Sequence, residues 1–92
     1  MAVKVKVPTI MRAPVGGAAT VEATGGTLAE LLGDLERRYP GFTGTILGDD
    51  GDLRRFVNVY VNDEDARYIG ALEAPVSDGD TVSILPAVAG GR

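Results

Sequence analysis

Histidine and cysteine are both absent from the 92 residues of this chain. Without histidine, the sequence lacks the side chain that most often serves as general base, general acid or metal ligand near neutral pH. Without cysteine, it has no thiolate nucleophile, persulfide carrier, disulfide or cysteine-bound zinc. We therefore expect no catalytic residues, no metal site and no bound cofactor in the chain itself, and we predict that it is not an enzyme.

Long apolar runs and an excess of positive charge are also missing. Lysines interrupt the apolar residues of the first seven positions, so we expect neither a signal peptide nor a membrane span, and a cytoplasmic location. The net charge is −4, and the nine lysines and arginines are scattered along the sequence. Because nucleic-acid binding relies on clustered basic residues, we expect no nucleic acid and no membrane among its partners. An acidic protein of this size is expected instead to meet a basic patch on another protein.

What the sequence does contain is typical of one small globular domain, with 45% hydrophobic and 24% charged residues. Residues 3–7 alternate valine and lysine, which predicts a strand with Val3, Val5 and Val7 buried. A second short strand is predicted at about residues 18–23, after a loop that ends in two glycines.

A helix is predicted to begin at Thr27, which forms a capping box with Glu30: the Thr27 hydroxyl accepts from the Glu30 amide, and the Glu30 carboxylate reaches back to the Thr27 amide. Pro40 and Gly41 are expected to end it. We interpret Gly33, inside this helix, as a point of close packing against a sheet. Apolar residues recur at helical spacing and form one core-facing stripe: Leu28, Leu31, Leu32, Leu35 and Tyr39.

The second half of the sequence predicts strands at residues 56–61 and 81–86, with a short edge strand at residues 66–69 and an acidic turn at residues 62–65. Alternation turns Val57, Val59 and Val61 toward the core and Phe56 toward the outer face of the sheet. By the same rule, Leu85 lies on that outer face. The order of elements fits an α+β fold in which a mixed sheet holds one helix and the first and last strands can form a parallel central pair.

Residues 87–92 follow the last predicted strand and are expected to form a flexible tail on a domain of residues 1–86. Fully extended, the six residues 86–91 reach roughly 20 Å, far enough to enter a pocket of another protein. Because glycine has no Cβ, Gly90 and Gly91 let a catalyst approach the main chain closely. Taken alone, two glycines near an end are better explained as an ordinary loose terminus.

Residues 78–91 resemble the β-grasp sulfur-carrier family that includes ThiS and MoaD: an acidic-glycine turn, an apolar strand, a proline and a short tail ending in Gly-Gly. Residues 7–12 and 55–65 are similar to the CysO branch of that family, and the resemblance covers nearly the whole chain, least between residues 42 and 53. It implies a ubiquitin-like β-grasp fold, with a mixed four- to five-stranded sheet packed on one main helix.

The resemblance also implies that the chain acts as a substrate of other enzymes. An ATP-dependent, ubiquitin-activating-type adenylyltransferase/sulfurtransferase would adenylate the Gly91 carboxylate and convert it to a thiocarboxylate, and only this partner would use ATP. The sulfur would pass to a cysteine-synthase-like enzyme, or to a thiosugar- or thiazole-synthase-like one, for cysteine or thiolated metabolites. The residues expected to thread the partner's active site are Ala87, Val88, Ala89 and Gly90.

Arg92 departs from this pattern, because family members in their active form end at the second glycine. We hypothesise that a processing metalloprotease removes it.

Candidates for an apolar surface that contacts partners are Phe56, Leu85, Ile10 and Met11. For Ile10 and Met11, an equally good interpretation is a loop anchored in the core. The alternative function is a ubiquitin-like modifier, or a docking module that acts through the same tail or the sheet face.

Overall fold

The computed structural model describes residues 2–48, 51–54 and 57–86. Within these residues the chain forms a five-stranded mixed sheet in the order β2-β1-β5-β3-β4 and one α-helix, α1. The elements are β1 (Val3–Lys6), β2 (Thr20–Ala23), α1 (Leu28–Arg38), β3 (Val57–Val61), β4 (Glu64–Asp65) and β5 (Thr81–Pro86).

β1 and β5 form the parallel pair at the centre of the sheet, with Val5 opposite Val82. The other neighbours are antiparallel: β2 pairs with β1, and β3 pairs with both β5 and β4. The predicted inward residues are buried, since Val5 and Val59 are 0% exposed and Ile84 is 1% exposed. The pairing of β1 with β5 confirms the expected parallel contact between the first and last strands.

α1 packs its leucine stripe on this valine-rich face, and Leu28, Leu31, Leu32 and Leu35 are at most 1% exposed. Burying a leucine completely contributes roughly 1.5–3 kcal/mol, so the stripe is the main force that holds helix and sheet together. A mixed sheet folded around one helix is the ubiquitin-like β-grasp arrangement, and this confirms the predicted fold class.

The start of α1 is capped as predicted at one of its two contacts. The Thr27 hydroxyl accepts a hydrogen bond from the Glu30 amide, at 3.2 Å. The Glu30 carboxylate, however, accepts from the amide of Gly26 at 2.8 Å rather than from that of Thr27. The predicted reciprocal bond is therefore wrong by one residue, because Glu30 Oε1 reaches the amide before the cap.

The edge strand predicted at residues 66–69 is also wrong. Ala66–Tyr68 forms a 3₁₀ helix, and the edge strand is β4, inside the predicted acidic turn. Asn62 takes a left-handed conformation with φ 58°, which reverses the chain quickly enough for β4 to pair with the end of β3. The Asp65 side chain then accepts from the Arg67 amide and starts the 3₁₀ helix.

Gly33 does not mark close packing. A Cβ placed there would meet no atom within 4 Å, so Gly33 faces open space. The close approach occurs at Gly25, before the helix, where a Cβ would lie 2.5 Å from the Leu31 backbone nitrogen. Glycine is therefore required where the chain enters α1 rather than inside it.

Asp34 is a buried charged residue, and the apolar pattern of α1 did not indicate its burial. It is 5% exposed and accepts hydrogen bonds from the Thr24 amide at 2.9 Å and from Arg38 Nε at 2.7 Å, and it pairs with Arg37 as well. The bond from the Thr24 amide lowers the pKa of Asp34 below its ordinary value of 3.8; Arg38 and Arg37 act in the same direction, while desolvation opposes them. The side chain fastens the end of β2 to α1.

We predict that Asp34→Asn is less stable than the wild type at neutral pH, and that the difference shrinks below about pH 4. A depressed folded-state pKa stabilises the fold above the unfolded pKa, and that contribution is lost as the pH falls through the folded value. Urea unfolding at pH 7 and at pH 3 measures both differences. Glu22→Gln, an exposed charge removal on β2, is the control. A difference between Asp34→Asn and the wild type that stays constant across this range would contradict the assignment.

Candidate functional site

The residues predicted to carry the chemistry, Ala87, Val88, Ala89, Gly90, Gly91 and Arg92, lie outside the described residues, and so does Phe56. What the structure describes is the place from which they continue, the end of β5 at Pro86. We call this end of β5 the exit, because the tail follows it in sequence. The candidate site is the surface around the exit.

The exit lies in the middle of the sheet rather than at an edge. β5 is flanked by β1 on one side and β3 on the other, and Pro86 stands opposite Val57 at the start of β3. Because β1 runs parallel to β5, its carboxyl end points the same way, and the loop with Ile10 follows it. The residues after Pro86 thus follow a strand that β1 holds at residues 81–83 and that β3 holds at residues 82–86, up to Pro86 itself.

Large exposed apolar side chains of the described residues gather at this end of the sheet. Leu85 is 50% exposed, Ile10 is 77% exposed and Tyr68 is 88% exposed. Ile10 follows β1, the neighbour of β5, and Tyr68 belongs to the 3₁₀ helix whose Arg67 contacts the start of β3. We call Ile10, Tyr68 and Leu85 the exit surface.

Met11 differs from the other predicted contact residues. It is 5% exposed and belongs to the core, whereas its neighbour Ile10 is exposed. For Met11 the burial agrees with the loop-anchor interpretation, and the Arg12 guanidinium helps to fix this loop by donating from Nε to the Val7 carbonyl at 3.0 Å. The contact roles of Ile10 and Leu85 stay predictions.

The outer face of the sheet continues from Leu85 as an open depression of about 240 Å³, lined by Tyr60, Asn62, Asp63, Ser83 and Leu85. On β1, the exposed Lys4 and Lys6 stand beside Thr81 and Ser83 of β5. The outer face of the sheet therefore carries basic, acidic and apolar side chains: Lys4, Lys6, Asp63 and Leu85.

A second cavity, of about 320 Å³, lies on the opposite side of the molecule against α1. It is lined in part by Leu32, Gly33, Leu47 and Leu72. Glu36 also borders it, and its pKa is lowered by hydrogen bonds from the Thr43 hydroxyl and from the Gly41 and Thr43 amides. This carboxylate holds the chain that follows the helix.

Residues 2–48, 51–54 and 57–86 contain no group of three or more acidic side chains arranged to hold a metal ion. In the same residues, none of the helices has the length and apolar content that crossing a membrane requires.

The sequence did not indicate that Tyr68 or Arg67 lies near the exit. Both were expected in an edge strand, and a 3₁₀ helix has no hydrophobic period long enough to be recognised. The alternation of β3 and β5, by contrast, was enough to place Leu85 on the outer face.

The fold and its central carboxyl-terminal strand define the chain as a ubiquitin-like β-grasp protein. It matches the model of the ThiS family over residues 5–91, and it belongs to that family. The matched region includes Gly90 and Gly91 and stops before Arg92.

Individual relatives agree with this assignment. The sulfur carrier protein CysO of Mycobacterium tuberculosis (strain ATCC 25618 / H37Rv) is 50% identical over 93 residues, which cover 99% of this chain and 100% of the relative. A chain in the crystal structure of the Amycolatopsis orientalis BexX/CysO complex is 53% identical, with a TM-score of 0.91, and the match covers 98% of this chain and 100% of that one.

A relative with a different name is also similar. Small archaeal modifier protein 1 of Haloferax volcanii is 33% identical over 82 residues, 86% of this chain and 90% of the relative. The crystal structure of SAMP1 from the same organism has a TM-score of 0.79 at 28% identity and covers 99% of this chain and 100% of that chain.

We predict that Met11→Ala lowers the free energy of unfolding by about 2–5 kcal/mol, because it leaves a cavity in the core. Ile10→Ala, the matched neighbour, should change it by less than about 0.5 kcal/mol, since an exposed side chain loses little packing. Urea denaturation of both variants measures the difference. Equal losses would contradict the placement of Ile10 outside the core.

Proposed function

We propose that this chain is a sulfur carrier whose Gly91 is adenylated by an ATP-dependent, ubiquitin-activating-type enzyme and then converted to a thiocarboxylate. The observation that carries the proposal is the family match, which spans the sheet, the helix and the tail and stops at Gly91. The 50% identity to a protein named sulfur carrier protein supports it. In this proposal residues 1–86 are the folded domain and residues 87–92 are its tail.

The chemistry needs two steps. A carboxylate is a poor electrophile, so one Gly91 oxygen first attacks the α-phosphorus of ATP, and pyrophosphate leaves to give the acyl-adenylate. A sulfur donor then attacks the acyl carbon, and AMP leaves with its shared oxygen. The product holds sulfur in place of one carboxylate oxygen. The activating enzyme supplies the catalytic groups, which agrees with a chain that has neither histidine nor cysteine.

The fold supports this use of the tail by giving it a fixed base. Pro86 ends a strand whose last residues are paired with β3, so the point at which the tail begins is fixed relative to the sheet that a partner would bind. Ala87, Val88 and Ala89 are the tail residues that would thread the partner's active site. Gly90 and Gly91 pass through the narrowest part of the partner's active site because they carry no Cβ.

Arg92 must be removed before Gly91 can react, since its peptide bond occupies the carboxyl group. We propose that a processing metalloprotease hydrolyses the bond between Gly91 and Arg92. The family match that stops at Gly91 supports this proposal. Arg92 then keeps the carrier inactive until it is cleaved.

The charged carrier would deliver its sulfur to a cysteine-synthase-like enzyme, or to a thiosugar- or thiazole-synthase-like enzyme. Cysteine and thiolated metabolites are the corresponding products. The similarity to a chain of the BexX/CysO complex supports a function that depends on a protein partner.

The second candidate is a ubiquitin-like modifier that is attached through Gly91 to lysines of other proteins, or a docking module. The similarity to small archaeal modifier protein 1 favours it. The two candidates share adenylation and differ in the acceptor, which is a sulfur donor in one case and a lysine amine in the other.

We predict that a chain ending at Gly91 is charged and that the chain retaining Arg92 is not. Each is incubated with the activating enzyme, ATP and a sulfide donor, and intact mass detects the exchange of one oxygen for sulfur. Incubating the longer chain with extract of its own cells should remove Arg92 and restore charging. Thiocarboxylated protein that still contains Arg92 would contradict the proposal that this residue is removed first. High-mass adducts with cellular proteins would favour the modifier function.

We predict that Leu85→Asp lowers kcat/KM for charging by roughly tenfold, because a charge replaces an apolar contact beside the tail. Ala29→Asp adds the same charge on the exposed side of α1 and should leave charging unchanged. Thermal unfolding of both variants separates a loss of folding from a loss of contact. Equal charging of the two variants would remove Leu85 from the partner surface.

A further inference from the structure

The Arg67 guanidinium joins three groups at the start of β3. Its Nη2 donates to the Arg54 carbonyl at 2.7 Å and to the Val57 carbonyl at 2.9 Å. Its Nη1 donates to the Asn58 side-chain oxygen at 3.2 Å. One side chain thus holds two backbone carbonyls and one side chain that lie nine to thirteen residues away in sequence.

Arg67 is itself held in place. Its amide donates to the Asp65 carboxylate at 2.9 Å, which starts the 3₁₀ helix, and its neighbour Ala66 is 0% exposed in the core. The guanidinium therefore reaches β3 from a fixed backbone rather than from a free loop, and it spends less conformational entropy on its three bonds.

The hydrogen bonds from Arg67 take the place of a neighbouring strand along the first residues of β3. β4 pairs with β3 at Tyr60 and Val61, and within the described residues it does not extend along the earlier part of β3. The Val57 carbonyl is supplied with a donor by Arg67 instead. A backbone carbonyl at a sheet edge otherwise depends on water, and the strand end then opens easily.

The start of β3 lies directly beside the exit of the tail. Val57 stands opposite Pro86, and Asn58 stands opposite Leu85. Whatever holds Val57 and Asn58 therefore also fixes the direction of the last two residues of β5. The Arg67 side chain contacts both of these residues from the side away from β5.

We propose that Arg67 is a positioning residue for charging: it holds the start of β3, and through it the end of β5, in the geometry from which the tail enters the activating enzyme. This inference rests on the proposed function. Arg67 does not touch the reacting carboxylate in this role, and it acts through Val57 and Asn58.

Lysine cannot take over this role although it keeps the charge. The guanidinium is a planar group with five donors, and two of its nitrogens reach the three acceptors at once, whereas an ammonium is a single compact centre. The pair of variants Arg67→Lys and Arg67→Ala therefore separates positioning from simple charge attraction to a partner.

The test compares both variants, each in a chain ending at Gly91, with the wild type and with Arg37→Ala. Arg37→Ala removes the same charge from α1, where the side chain is 76% exposed and pairs with Asp34 rather than with β3. We expect Arg67→Lys and Arg67→Ala both to lower kcat/KM for adenylation by roughly tenfold, through KM, because about one residue of backbone must be reordered on docking. Arg37→Ala should match the wild type.

Amide hydrogen exchange provides a second readout that needs no partner. In both Arg67 variants the amides of Asn58 and Leu85 should exchange faster than in the wild type, while that of Val5 in the centre of the sheet should not change. Full activity of Arg67→Lys, or unchanged exchange at Asn58 and Leu85, would overturn the positioning role. If the wild type itself is not adenylated, the proposed function fails, and the exchange rates still report whether Arg67 holds the strand.

Discussion

β1 and β5 run parallel in the middle of the sheet, although they are the first and last strands of the described chain. Parallel neighbours cannot be joined by a tight turn, so every other element lies in the connection between them. α1 crosses the valine-rich face within that connection and buries its leucines there. If this pair did not form, α1 would lose part of the surface on which it packs, and β5 would become an edge strand held only by β3.

The same pairing bears on how the proposed carrier would present its carboxyl end to a partner. The tail follows a strand whose last residues are paired with β3, and Ile10, Tyr68 and Leu85 are exposed. In the proposed function, a partner recognises this folded surface and receives the glycines from the tail that follows it. In that proposal the domain provides recognition, the tail provides the carboxyl group, and the partner provides the catalytic groups.

Much of this arrangement could be predicted from the sequence because alternation and helical spacing report directly on burial. The valines of β1 and β3, the leucines of α1 and the outward side of Leu85 all followed from their period. The resemblance of the glycine tail and the strand before it to the sulfur-carrier family predicted the family. What could not be predicted depends on contacts between distant residues. Asp34 lies within the helix pattern as an ordinary polar residue, and only the approach of Thr24 makes it a buried anchor. Likewise, Arg67 acquires its role through the turn at Asn62 and the short β4, which no local pattern indicates.

The central claim is that Gly91 carries sulfur. It is tested most directly by isolating the protein from its own cells and fragmenting the intact chain in a mass spectrometer. The account predicts that part of the protein ends at Gly91 and that the fragment containing this glycine has sulfur in place of one oxygen. Protein that always retains Arg92, or that ends at Gly91 with an ordinary carboxylate or an isopeptide bond to lysine and never with sulfur, would contradict it.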